Sequence, residues 1–195
     1  MLSHIRSSLT ITIWVLGVRK RPRRALLFGR FQPFHKGHVS IARWAFEKAG
    51  FDELVFLIGM ASENYTPRNP FTAGERIEMI RLSFIDEGLP LERAITATIE
   101  TLETSIGSVH YVLSYVPKVE VILTRNPVIS KIFMDAGIKV IQPPLFNREE
   151  WRGEVIREKI ARGDESWREA VTPSTAEFIE EIGGVERIKW ALSRD

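Results

Sequence analysis

The run Gly29-Arg30-Phe31-Gln32-Pro33-Phe34-His35-Lys36-Gly37-His38 gathers two imidazoles, an ammonium and a guanidinium in ten residues. Each imidazole can donate to a phosphate oxygen. Arg30 adds a planar fork of donors. Gly37 lets a backbone come close to a ligand. With His38 opening a helix, backbone N–H groups and the helix dipole would point at the same anion. This is a concentration of donors suited to polyphosphate. A zinc site is the competing use of a His-x-x-His pair. The chain has four histidines in all and no cysteine, so further ligands are scarce and no metal ligand is assigned.

The elements that must position this run can be read from hydrophobic pattern and punctuation. Residues 25–28 form a short apolar run ending at Gly29, which predicts a buried strand feeding a turn. Val39, Ile41, Ala42, Ala45, Phe46 and Ala49 share one face of a predicted helix over 38–49, which Gly50 ends. A second buried strand is predicted over 54–58. Thr72 and Glu75 make a capping box for a helix reaching about residue 87. Strands follow over 94–99, 119–123 and 138–141. Between them lie a helix over 105–115 and one capped by Asn126 with Pro127 in its first turn. Helices are expected over 152–162, 174–182 and 184–193. The fold class is therefore α/β: a Rossmann-like, doubly wound parallel sheet of about five strands with C-terminal helices. Ligands of such sheets sit beyond the carboxyl ends of the strands, where the decapeptide falls.

Charge is unevenly spread. The formal net charge is +2, yet residues 1–24 carry six basic residues and no acid, leaving a mildly acidic body over 25–195. That argues against a nucleic-acid-binding body and leaves the arm as a possible anion contact. The apolar run at 11–18 is too short to span a bilayer. Five of the arm's six basic residues follow it, which argues against a signal peptide. The arm is either an extra strand or flexible arm, or a stretch translated only on paper from a start codon placed too early. Without cysteine, disulfides and thiolate nucleophiles are excluded, and a cytoplasmic location fits.

Residues 29–38 resemble the first motif of the His-x-Gly-His nucleotidyltransferase superfamily. More narrowly, the chain resembles the archaeal nicotinamide mononucleotide (NMN) adenylyltransferases. Asn69-Pro70-Phe71-Thr72-Ala73-Gly74-Glu75-Arg76, Pro143-Pro144-Leu145-Phe146 and Gly184-Val185-Glu186-Arg187-Ile188-Lys189 support this. The resemblance covers residues 25–193, read as one nucleotidyltransferase domain. It implies AMP transfer from ATP to NMN, giving NAD and pyrophosphate, with Mg2+ held mainly by ATP phosphates. It implies that the NMN phosphate attacks the α-phosphorus directly, so no general base is needed. His35 and His38 would be catalytic, with Arg30 and Lys36 assisting. Gly29, Phe31, Gln32, Gly37, Arg68, Arg125, Asn126 and Arg157 would serve ATP and its phosphates. Ser62, Tyr65, Ser105 and Ser108 fall on the acceptor side. By analogy, a homo-oligomer without nucleic-acid or membrane partners is expected.

The chain departs from that family in three places. The late motif Ser-Gly-Thr-Glu-x-Arg reads Arg152-Gly153-Glu154-Val155-Ile156-Arg157, so an anion faces the expected triphosphate. The acceptor segment holds Thr101, Ser105 and Ser108 where the family has aspartate, asparagine and tryptophan; His110 or Tyr111 is the nearest substitute ring. Arg125 replaces a glycine before Asn126-Pro127. Two alternatives thus stand beside NMN adenylyl transfer: a nucleotidyltransferase with another phosphomonoester acceptor, and a non-catalytic nucleotide-binding relative.

Overall fold

The computed structural model describes residues 21–100 and 109–193. Thr101, Ser105, Ser108 and the arm through residue 20 lie outside these described residues.

Five strands form one parallel sheet in the order β3-β2-β1-β4-β5. They are β1 (Arg24–Gly29), β2 (Glu53–Ile58), β3 (Ala94–Thr98), β4 (Val121–Leu123) and β5 (Lys139–Ile141). Parallel neighbours need crossover connections. Here these are α1 (Lys36–Glu47), α2 (Ala73–Asp86), α3 (Val109–Ser114) and α4 (Pro127–Asp135). Three helices close the chain: α5 (Gly153–Arg162), α6 (Pro173–Glu181) and α7 (Gly184–Leu192).

Alternation along the strands builds two cores. On one face Ala25, Leu27, Leu54, Phe56 and Ile58 meet Val39, Phe46, Met79, Phe84 and Ile156. On the other, Leu26, Phe28, Val55 and Leu57 meet Val109, Val112 and Phe133. The sheet is therefore covered on both faces, as the apolar runs imply. The C-terminal helices dock through buried hydroxyls as well. Ser83 on α2 lies 2.9 Å from Thr175 on α6, and Thr172 donates to Ser83 at 3.2 Å.

The chain winds outward from β1 to β3, then returns to place β4 on the other side of β1. The crevice at the carboxyl ends of β1 and β4 is thus the switch point where such sheets bind ligands.

Three details depart from the expected elements. Helix α1 begins at Lys36 rather than His38, because the His35 carbonyl accepts from His38 N at 2.8 Å and Val39 N at 3.2 Å. Apolar periodicity starts only at Val39, so it could not mark that first turn. Short 3-10 segments at Leu91–Arg93 and Glu165–Ala170 were not anticipated. Arg23 and Arg24 belong to the folded body: Arg24 pairs with Glu53, and Arg23 donates its N–H to Asp52 at 2.7 Å.

Candidate active site

Strand β1 ends at Gly29, against which the Phe31 ring folds. A Cβ on Gly29 would lie 3.2 Å from that ring. Phe31 takes a φ of 54°, an uncommon conformation for a bulky residue and one worth noting beside a site. Its ring meets His38 edge-on at 4.9 Å, while Phe34 stacks on His38 at 5.0 Å. His35 stacks on the same imidazole at 3.7 Å. His38 Nδ1 accepts from the His35 backbone N–H at 3.3 Å. That bond keeps Nδ1 unprotonated and leaves Nε2–H as the donor. His35 Nδ1 is buried and has no hydrogen-bond partner. A Cβ on Gly37 would sit 3.0 Å from the His35 ring, so glycine is needed for this stack.

Helix α5 brings the second half of the site. A Cβ on Gly153 would lie 2.7 Å from the Gln32 carbonyl, so glycine permits α5 to abut the decapeptide. Arg157 donates to the Gln32 carbonyl at 2.6 Å and to the Pro67 carbonyl at 3.1 Å. Burial and the neighbouring Arg30 and Arg68 cations lower its pKa to about 10, so it remains a cation at neutral pH. Arg30, His35, His38, Arg68, Glu154 and Arg157 line one cleft of about 440 Å³. Three guanidiniums around one cleft can neutralise phosphate charge, and two imidazoles can add hydrogen bonds to it.

A buried arginine that the sequence reading left without a role ties the Arg30 backbone of this cleft to the loop after β2. Arg76 is fully buried and donates to four carbonyls: Thr72, Arg30, Gly59 and Met60. Those of Arg30 and Gly59–Met60 follow β1 and β2, so one side chain ties both loops together. Burial lowers its pKa to about 10. Only its place in the motif Asn69–Arg76 hinted at it.

The structure redistributes several expected roles. Lys36 does not line the cleft; it lines separate cavities beside Trp151 and Glu169, because the first turn of α1 turns it away from His38. The Gln32 side chain is consumed by Phe71, donating at 2.8 Å and accepting at 2.9 Å, so only its backbone serves the site. Asn126 Oδ1 caps α4 by accepting from Val128 N at 2.9 Å. Arg125 donates to the Pro143 carbonyl at 2.8 Å and lines a second cavity at the β1–β4 crevice, away from Arg157. Ser62 donates to the Glu100 carbonyl at 3.0 Å. Tyr65 takes a φ of 61°, and the Arg187 guanidinium lies over its ring at 4.6 Å. Arg187 in turn pairs with Glu75 of the α2 capping box at 2.7 Å, anchoring the loop to α7.

Burial lowers the His35 pKa from 6.5 to about 3, and burial together with His35 pushes His38 well below its usual value. Both rings are neutral in the folded protein at neutral pH. Unfolded, each takes up a proton near about pH 6.5. Below that pH the unfolded chain binds protons that the folded one cannot. Stability is therefore full above about pH 6.5 and falls as pH drops toward the folded values. From pH 7 to 5 the expected loss from His35 is about 2 kcal/mol, and His38 adds to it in the same direction. Thermal melts of wild type and His35→Gln over this range check it: the variant should lose less. Equal losses would show that His35 titrates normally.

The cytidylyltransferase-like family matches residues 26–159. This chain belongs to that family. It is a nucleotidyltransferase of the His-x-Gly-His type, as its decapeptide indicated. A protein of Aeropyrum pernix, described as uncharacterized, is 79% identical over 88% of this chain and 99% of its own length. An Ignicoccus hospitalis protein named nicotinamide-nucleotide adenylyltransferase is 41% identical over 88% of this chain and 99% of its own. Among solved structures, a bifunctional NMN adenylyltransferase/ADP ribose pyrophosphatase from Francisella tularensis, complexed with AMP and a manganese ion, superposes with a TM-score of 0.68 at 16% identity. The match covers 88% of this chain and 52% of that one, so the chain spans about half its length. At that identity the likeness speaks for the fold alone. No helix among the described residues is long and apolar enough to cross a membrane.

Proposed function

We propose that the protein is a nicotinamide-nucleotide adenylyltransferase, joining AMP from ATP to NMN and releasing pyrophosphate. One observation carries this reading. His38 lines both the arginine-rich cleft and the second cavity, of about 390 Å³, at the β1–β4 crevice. In ATP the α-phosphorus lies between nucleoside and pyrophosphate. A nucleoside in the crevice and a pyrophosphate among the arginines put that phosphorus beside His38. The 41%-identical relative supports NMN as acceptor.

An NMN phosphate oxygen attacks the α-phosphorus opposite the bridging oxygen. The new O–P bond forms as the bond to pyrophosphate breaks, and its electron pair leaves with pyrophosphate. The attacking oxygen is already ionised, so no proton need move at phosphorus. His38 Nε2–H donates to the α-phosphate, where charge grows in the transition state. Arg30, Arg68 and Arg157 hold the leaving pyrophosphate, and His35 completes the donor set. Lys36 has no part in this mechanism. A bound magnesium ion supplies further neutralisation of the phosphate oxygens. No group of three or more His, Cys, Asp or Glu that could hold a metal occurs among the described residues.

On the acceptor side we assign Ser62 and Tyr65, both on the loop after β2. We place the enzyme in the cytoplasm, as an assembly of identical chains whose mass light scattering would read.

Purified protein with ATP, magnesium and NMN should form NAD, followed through a coupled dehydrogenase. No NAD at any temperature where the protein is folded would overturn NMN as acceptor. Pyrophosphate release at higher kcat/KM with another phosphomonoester would reassign it.

A further inference from the structure

The motif Gly184–Lys189 has no use in the proposed reaction, and α7 supplies no residue to the lining of the arginine-rich cleft. Two of its residues nevertheless reach the loop after β2. A Cβ on Gly184 would lie 2.8 Å from the Phe71 ring and 2.7 Å from the Ile179 carbonyl, so glycine lets α7 seat against Phe71. Arg187, one turn on, spreads its guanidinium over the same loop. It donates to the Pro70 carbonyl at 3.2 Å, to the two Glu75 oxygens at 2.9 and 2.7 Å, and to the Ile182 carbonyl at 3.1 Å. Its guanidinium carbon also stands 4.6 Å from the centre of the Tyr65 ring. The Arg187 and Glu75 side chains are only 14% and 16% exposed, so solvent screens this pair little.

Arg68 lies inside the span that Arg187 holds, between Tyr65 and Pro70. It lines the cleft, and its charge is felt by Arg157. Among the described residues, no hydrogen bond or ion pair holds the Arg68 guanidinium. Its placement therefore follows its backbone. That backbone is gripped on both sides by arginines of the C-terminal helices. Arg157 of α5 donates to the Pro67 carbonyl at 3.1 Å, and Arg187 of α7 takes the Pro70 carbonyl.

We infer that Arg187 is a positioning residue for pyrophosphate: by fixing the segment 65–70 from outside the cleft, it aims Arg68 at the phosphates. This rests on the proposed pyrophosphate site. Without Arg187 the segment is held at Pro67 alone on that side of α2, and Arg68 must be ordered anew each time a phosphate binds. That ordering costs affinity although no substrate contact is removed.

The test is a double-mutant cycle of wild type, Arg187→Gln, Arg68→Ala and the pair, read by calorimetric titration of inorganic pyrophosphate into the full chain. Thermal melts verify that each variant is folded at the titration temperature. Arg187→Gln should weaken pyrophosphate binding about tenfold in chains that carry Arg68, and less than about twofold in the Arg68→Ala background. Arg187→Lys keeps a cation beside Glu75 and serves if glutamine costs the fold. Its loss should be smaller, about threefold, and again confined to chains with Arg68. Equal weakening in both backgrounds would show that Arg187 acts on the fold at large, and no weakening in either would show that Arg68 needs no help; each overturns the inference. Pyrophosphate binding without NAD formation would overturn NMN as acceptor and leave this inference standing. A wild type that does not bind pyrophosphate would overturn both.

Discussion

His38→Ala should lower kcat for nucleotidyl transfer by about a hundred- to a thousandfold, with ATP affinity changed only a few-fold. The imidazole is set up in advance of the reaction. Phe31, Phe34 and His35 enclose it, and the His35 N–H fixes its tautomer. The Nε2–H donor therefore needs no reorganisation when charge builds on the α-phosphate. Binding of ground-state ATP leans instead on Arg30, Arg68 and Arg157, which the substitution leaves in place. A donor that acts mainly in the transition state is lost from kcat, not from Kd. Stopped-flow NAD formation and calorimetric ATP binding separate the two. A large loss of ATP affinity with kcat unchanged would make His38 a ground-state contact and sink the assignment.

Arg76→Met should destabilise the fold by about 3–5 kcal/mol and lower Tm by on the order of 10 °C. The substitution strips donors from the carbonyls of Arg30 and Met60, which are part-buried, and of Gly59, which is buried. Each buried acceptor left unmet costs about 1–3 kcal/mol. Lysine should not rescue it, because one ammonium lacks the planar fork that reaches both loops. The surviving folded molecules should bind ATP more weakly, since the backbone carrying Arg30 loses its tether. Urea midpoints for Arg76→Met and Arg76→Lys check the claim. A lysine variant as stable as wild type would show that charge alone suffices there.

Much of the architecture was legible because local rules agree with the fold. The Thr72–Glu75 capping box and the Asn126 cap sit where spacing put them. All five strands lie within apolar runs or overlap them by most of their length. The start of α1 was misread for a physical reason: Lys36 and His38 line cavities and Gly37 packs against the His35 ring, so none carries an apolar signal. Lys36 illustrates the same limit. Sequence adjacency to His35 suggested a shared anion, yet one helical step turns its side chain toward Trp151 and Glu169. Gln32 looked like a ligand donor because it stands in a ligand motif, but its amide is spent on Phe71.

The decapeptide by itself carried the class of chemistry through its resemblance to the His-x-Gly-His nucleotidyltransferase motif, which the family match supports, and its residue types suit an anion site at a helix start. Which cations complete the site was decided only in three dimensions. Arg157 donates to a carbonyl 125 residues away because α5 packs, through Gly153, against the backbone of Gln32. The position of the β1–β4 crevice, where we propose that the nucleoside sits, depends likewise on β4 returning beside β1. Such contacts arise from packing of whole elements, and no local pattern encodes them.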